Sequence, residues 1–274
     1  MKKQTNISLS NIRVIIVMSD PFLNLDKVGR PLATIKGGSL DKRQMSIFVD
    51  GDFSGVSKKY HSFQLPPEST FELAPNPKTE RQIVYITGAS GSGKSYYANK
   101  YMEKYKKMFP QNPIIIFSAI DDPDDSIKVE MNRIRLDDSL VDDPIKVEEL
   151  ADCLCIFDDV DSISNKAIRT AVWNIMNEIL QTGRHYRTYM IVTNHLSTAG
   201  HQTRIILNEA HMIVVFPKSG SSRGIKYLLG NYCGLAKGDQ EQIFREKTRA
   251  VTIFRNYPMM CMTEKKIWLL SNDV

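Results

Sequence analysis

The sequence predicts strands alternating with helices around a phosphate-binding loop, with a small β-rich region ahead of them. Three stretches carry that expectation. The apolar run Ile83-Val84-Tyr85-Ile86 leads into Gly88-Ala89-Ser90-Gly91-Ser92-Gly93-Lys94-Ser95 and then Tyr96-Tyr97-Ala98, which reads as strand, glycine-rich loop and helix in immediate succession. The run Leu154-Cys155-Ile156-Phe157 ends in the acids Asp158-Asp159. A helical pattern over 167–180 is followed by Tyr189-Met190-Ile191-Val192-Thr193, a strand ending at Asn194-His195.

The loop 88–95 is a complete P-loop in the context such a loop requires. Backbone N–H groups can wrap a polyphosphate only where the chain turns through conformations that a Cβ forbids, and Gly88, Gly91 and Gly93 supply that freedom. Lys94 is placed to reach the β- and γ-phosphates and the Ser95 hydroxyl to ligate Mg²⁺. The N-terminus of the next helix adds partial positive charge. ATP and Mg²⁺ are therefore the expected ligands.

At 274 residues the chain is long enough for one nucleotide-binding domain and a smaller appendage. The formal net charge of +5, from 36 basic and 31 acidic residues, permits an anionic partner without requiring one. Cys153, Cys155, Cys233 and Cys261 have no spacing that suits zinc, and Cys153 and Cys155 at i and i+2 of an apolar run point the same way into packing. Reduced thiols in a cytosol-like compartment are expected. The polar start reaches only the short run Val14-Ile15-Ile16-Val17-Met18, too short for a signal h-region or a membrane span, so a soluble protein is expected.

In chain order, residues 1–64 place no chemistry. The run at 14–18 and the alternation Met45, Ile47, Val49 suggest strands, so a β-rich appendage over residues 1–79 is expected, with the proline-bearing stretch 65–80 as its stiff linker to an ATPase domain over 80–274. Tyr97, Tyr101, Tyr105 and Met108 recur at helical spacing, which predicts a helix over 95–108 whose aromatic stripe is core packing. Residues 113–118 read as a buried strand, and Asp121-Asp122-Pro123-Asp124-Asp125 as a solvated acidic loop in preference to a metal site. Residues 126–150 place no motif.

An apolar strand beside the P-loop strand that ends in two acids, about 65 residues downstream, has a specific meaning in P-loop enzymes. The first acid, Asp158, holds the metal and the second, Asp159, orients or deprotonates the attacking water, with Asp161 as the fallback for either role. Asn194 and His195 at the next strand end are either γ-phosphate sensors or turn residues. Arg184 serves either a neighbouring subunit's γ-phosphate or a surface ion pair, with Arg187 close behind. A strand over 212–216 leads into a basic loop from Lys218 to Arg223, suited equally to phosphate-backbone contact and to solvation.

The P-loop, the Ile156-Phe157-Asp158-Asp159-Val160 strand end, the triplet Gly183-Arg184-His185 before an apolar strand, Asn231-Tyr232-Cys233-Gly234-Leu235 and Tyr257-Pro258 together resemble the genome-packaging ATPases of poxviruses and related nucleocytoplasmic large DNA viruses, within the HerA/FtsK superfamily. The resemblance covers roughly residues 80–270 and implies a RecA-like α/β fold, with a central mostly parallel sheet flanked by helices. It also implies Mg²⁺-dependent ATP hydrolysis, a homo-oligomeric ring and translocation of double-stranded DNA into a capsid, with a capsid or portal-region partner and a location in the host cytoplasm and the virion. The pattern departs at His195, which aligns with a superfamily Gln, and at Asp159, where many members carry Glu. A nucleotide-gated scaffold protein without translocation is the alternative reading. A metabolite kinase is disfavoured, because Asp159 follows the metal ligand and no Arg-rich helical lid is found.

Overall fold

A computed structural model describes residues 23–25, 27, 29–49, 62–76, 81–119, 129–198 and 200–270. The expected strand at 14–18 and the acidic loop 121–125 lie outside the described residues. The chain begins with β1 (Leu23–Asn24), β2 (Arg30–Lys36), α1 (Gly38–Lys42) and β3 (Ser46–Val49). In β3 the expected alternation holds, with Ile47 and Val49 buried and Ser46 and Phe48 partly exposed.

The stretch read as a stiff linker is built differently. β4 (Ser62–Gln64) precedes it and β5 (Thr70–Leu73) lies inside it. β5 pairs antiparallel with β2, completing a four-stranded sheet in the order β1-β3-β2-β5. Phe71 and Leu73 are buried in the same hydrophobic cluster as Val84, Ile86 and Tyr101. The prolines at 66, 67 and 75 flank β5 and so remove no ladder hydrogen bond, which is why a proline-rich composition coexists with a strand here.

The larger sheet adds β6 (Ile83–Thr87), β7 (Ile114–Ser118), β8 (Asn132–Arg135), β9 (Leu154–Phe157), β10 (Tyr189–Asn194), β11 (Met212–Val215), β12 (Val251–Phe254), β13 (Met260–Met262) and β14 (Lys266–Leu269). Its order is β4-β14-β13-β12-β11-β6-β10-β9-β7-β8, with β11 through β8 parallel and the β12 side antiparallel. β6, β7, β9, β10 and β11 are buried along their whole length, as parallel strands covered on both faces must be. Helices cover those faces: α2 (Lys94–Met108), α3 (Ser139–Asp142), α4 (Lys166–Thr182), α5 (Gly200–Glu209), α6 (Ser222–Asn231) and α7 (Lys237–Arg245). The fold is thus the expected α/β arrangement, a large central sheet flanked by helices with a small β-rich N-terminal region.

Side-chain chemistry explains the placement of these helices. In α2, Tyr101 and Tyr105 are fully buried and Tyr105 meets Tyr189 edge-on at 5.2 Å, so the aromatic stripe is core, as expected. α4 starts where the Asn165 side chain accepts the N–H of Ala167 at 2.9 Å, a cap contributing about 1 kcal/mol. It ends at Gly183, where a Cβ would sit 2.5 Å from the Ile179 carbonyl oxygen. The buried Arg81 guanidinium donates to the carbonyls of Ile179 and Leu180, placing a cation at the negative end of the helix. Phe117 and Phe157 stack at 4.5 Å across β7 and β9. All four cysteines are free and buried, with Cys153 and Cys155 in one core cluster.

His211, at the entrance of β11, accepts the Ile83 N–H on Nδ1 at 3.1 Å. Burial first, and then the charges of Arg81, Arg255 and Arg30, lower its pKa from 6.5 to about 4. The unfolded chain therefore binds a proton that the folded one refuses between those values. The stability from neutral His211 is complete above pH 6.5 and is lost as pH falls toward 4, with a limiting slope of about 1.4 kcal/mol per pH unit. His211→Asn keeps an acceptor for Ile83 and is expected to flatten the fall in melting temperature between pH 6.5 and 5. An unchanged slope in that variant contradicts the assignment.

Candidate nucleotide site

Thr87 ends β6 in register with Asn194 of β10 and Val215 of β11, so the three central strands finish together and the P-loop leaves from the middle of that edge. The Gly88 N–H is donated to the Asn194 carbonyl at 3.2 Å, which ties the first loop residue to the neighbouring strand. A Cβ on Gly88 would meet Ser92 Oγ at 2.6 Å and the Phe216 ring at 2.7 Å, so only glycine fits. Gly93 is left-handed at φ 109° and precedes α2 with no side-chain cap, leaving the first-turn N–H groups free of a capping side chain. Gly88→Ala is expected to lower nucleotide affinity at least tenfold, read by titration with a fluorescent ATP analogue, because Ser92 or Phe216 has to shift into the cradle.

The Lys94 side chain is 8% exposed and turns back over the loop, donating to the Gly88 carbonyl at 3.2 Å. Its ammonium lies 3.1 Å from His195 Nδ1 and 3.5 Å from Asp159 Oδ1, and His195 Nε2 lies 3.0 Å from Asp159 Oδ2. Three residues from three elements thus close one polar triangle. An ammonium can only donate, so Nδ1 of His195 accepts and the imidazole proton sits on Nε2, facing Asp159.

Asp158 and Asp159 follow β9 directly. Asp159 is left-handed at φ 48°, a conformation Asp tolerates better than most residues. Thr193 secures both: its hydroxyl donates to Asp158 Oδ1 at 2.7 Å and accepts the Asp159 N–H at 3.0 Å. Burial raises the Asp158 pKa above its ordinary range, with Asp159 adding to the rise, while the Thr193 hydrogen bond and the charges of Lys94 and Arg133 oppose it. A desolvated carboxylate of this kind gains from a cation. Asp158 and the Ser95 hydroxyl offer hard oxygen donors, a set that suits Mg²⁺, which keeps several waters and uses few protein ligands. Among the described residues no group of three or more His, Cys, Asp or Glu side chains forms a metal cluster.

The structure separates residues that the sequence grouped. Strand alternation puts Asn194 on the face opposite Thr193 and His195, where its amide donates to the Tyr85 hydroxyl at 3.1 Å and does not join the Lys94 cluster. Asp161 accepts the N–H groups of His195 and Leu196 at 2.9 and 3.0 Å, so it positions the loop that carries His195. Thr193 is the residue that sequence reading passed over; period-two alternation from His195 back along β10 is the signal that marks it.

Arg184 and Arg187 sit in the turn that enters β10, beside the start of β9 and the Met190–Ile83 pair. That is the far end of the strands from the P-loop, about 20 Å along a six-residue strand. Arg187 makes a bidentate pair with Asp152, both bonds 2.6 Å. The basic loop is also divided: Lys218 donates to the Phe244 carbonyl, and Arg223 lies in the first turn of α6, whose N-cap is Ser221.

No protein-family model matches the chain. It is 40% identical over 245 residues to the uncharacterized protein V3 of Sputnik virophage, an overlap of 89% of this chain and 96% of that protein. The chain belongs to the V3 family. This family member is therefore related to a viral protein across nearly its whole length. Among solved structures, it overlaps the genome packaging NTPase B204 of Sulfolobus turreted icosahedral virus 2 in complex with AMPPCP at a TM-score of 0.46 and 14% identity, over 69% of this chain and 98% of that one. The pCW3 conjugation coupling protein TcpA with ATPγS overlaps at 0.44 and 9% identity, over 88% and 77% of the two chains. Both are partial overlaps of shape. No helix among the described residues is long and apolar enough to cross a membrane.

Proposed function

We propose that this V3-family chain is an ATP-hydrolysing motor that moves double-stranded DNA into a viral capsid, the role implied by its resemblance to poxvirus-type packaging ATPases of the HerA/FtsK superfamily. One observation carries the hydrolytic part: Lys94, Asp159 and His195 converge beside an uncapped helix N-terminus, with the half-buried Asp158 next to them. A simple phosphate-binding scaffold needs the loop and the lysine. It does not need a second acid held at a strand end by a threonine.

In this reading the loop N–H groups and Lys94 hold the phosphates. Ser95 and Asp158 would hold Mg²⁺, which when bound would neutralise charge on the phosphate oxygens. Asp159, exposed enough to meet water at 26%, orients the nucleophile, and Thr193 holds the Asp158 carboxylate and the Asp159 backbone in place. His195 bridges Lys94 on Nδ1 and Asp159 on Nε2, so loss of its contact with Lys94 reports that Lys94 is engaged by phosphate. Arg184 acts on a neighbour's nucleotide within a homo-oligomeric ring. The ring works at a capsid or portal-region protein in the host cytoplasm, and is carried in the virion.

DNA contact is directed to the phosphate backbone, since a motor moving along arbitrary sequence cannot depend on base readout. The solvent-facing Arg223 on α6 is a better candidate for it than Lys218, whose ammonium is engaged by the chain. The test is the ATPase rate of the pure protein with and without duplex DNA across a salt series. Stimulation that fades steeply with salt and is indifferent to sequence is expected. Hydrolysis unmoved by DNA at low salt contradicts translocation and favours the nucleotide-gated scaffold.

A further inference from the structure

β12 begins at the same edge as the P-loop: Val251 pairs with Val215, and Val215 pairs with Thr87. Arg249, two residues ahead of β12, is thereby brought to the loop. Its Cδ lies 3.5 Å and its Nη1 3.9 Å from where a Cβ on Gly93 would stand. Two contacts hold this segment in place. The Thr248 hydroxyl donates to the Ala250 carbonyl at 3.0 Å, closing a turn with Arg249 at its tip, and Thr252 meets the Tyr97 hydroxyl of α2. Arg81, Arg187, Arg245 and Arg255 are all engaged by carbonyls or carboxylates. Arg249 is exposed and, among the described residues, has no hydrogen bond or ion pair.

We propose that Arg249 is a nucleotide-binding residue acting within its own subunit, gripping the part of a nucleoside triphosphate that does not react. The side of approach carries this assignment. Asp158, Asp159 and His195 reach the P-loop from β9 and β10 on one flank of β6, whereas Arg249 comes from β12, beyond β11 on the other flank. The γ-phosphate end of the nucleotide must face the acids. The cation on the opposite flank therefore meets the α- and β-phosphates and the nucleoside beyond them. Its guanidinium fork suits two phosphate oxygens at once. Contact with the unreacting part is equally strong in the ground and transition states, so it contributes to affinity and hardly to turnover.

This inference rests on the P-loop reading, and the experiment separates the two. Arg249→Ala, Arg249→Lys, Lys94→Ala and, as an exposed-cation control, Arg245→Ala are titrated with fluorescent ATP and ADP analogues and assayed for hydrolysis. Arg249→Ala is expected to weaken ATP and ADP alike by about 10- to 100-fold and to raise KM in step, with kcat falling no more than about threefold. Arg249→Lys recovers part of the affinity, Arg245→Ala leaves it unchanged, and the nucleotide-free melting temperature of the Arg249 variants matches the parent's. Affinity unchanged in Arg249→Ala, or a loss confined to kcat, overturns the assignment while leaving the P-loop reading intact. If the parent binds neither nucleotide, or Lys94→Ala binds them as the parent does, the P-loop reading fails and takes Arg249 with it.

Discussion

Asp159→Asn protein is expected to bind ATP as well as the parent or better and to lose about 10²- to 10⁴-fold in turnover, while Lys94→Ala protein is expected to fail to bind at all. The split follows from what each group touches. In the proposed site Lys94 is the cation of the cradle, so its loss would act on the ground state. The Asp159 carboxylate holds Lys94 at 3.5 Å and His195 at 3.0 Å. Removing its charge loosens that competing contact, which favours binding, and takes away the group that orients water, which stops hydrolysis. Equilibrium titration and steady-state rates on both variants check it. Asp159→Asn protein that hydrolyses near the parent rate removes Asp159 from the reaction.

Arg184→Ala is expected to give the second large effect, with nucleotide affinity staying within about twofold and turnover falling about 10³- to 10⁵-fold, the range for a finger supplied from a neighbour. Its position at the far end of β10 from the P-loop means that it cannot serve its own nucleotide. Only an assembly in which one subunit's β10 entrance faces the next subunit's P-loop gives it a role. Mixing Arg184→Ala subunits with Lys94→Ala subunits, each inactive alone, is expected to restore part of the activity. An intact loop then meets an intact finger at some interfaces. No recovery in demonstrably mixed rings, or full activity of Arg184→Ala by itself, removes Arg184. The Arg187–Asp152 pair makes Arg187 the weaker alternative.

The parallel core of the fold was legible because its strands are uninterrupted apolar runs and its loops carry chemistry that few other folds need. Residues 88–95, Asp158 and Asp159 stand out in a linear string since glycine spacing and strand-end acids are local patterns. β5, β12, β13 and β14 were not seen in the sequence. Each is three or four residues long; β5, β12 and β14 gain their definition from β2, β11 and β4, partners distant in sequence, and β13 is held between β12 and β14. Asn194 was grouped with His195 because adjacency in sequence hides the alternation that sends them to opposite faces. Arg249 was invisible for a related reason: it reaches Gly93 only through the pairing of β12 with β11 and of β11 with β6. Sites assembled from sheet order are not written in any one stretch of chain.

The reach of Lys94 is the most direct test of the nucleotide site. A crystal structure of the protein with Mg²⁺ and a non-hydrolysable ATP analogue is expected to show Lys94 Nζ withdrawn from His195 Nδ1 and Asp159 Oδ1, where it now lies at 3.1 and 3.5 Å, and placed on phosphate oxygens with Asp158 and Ser95 at the metal. Lys94 still locked between His195 and Asp159, with the analogue bound elsewhere, would contradict the site as described.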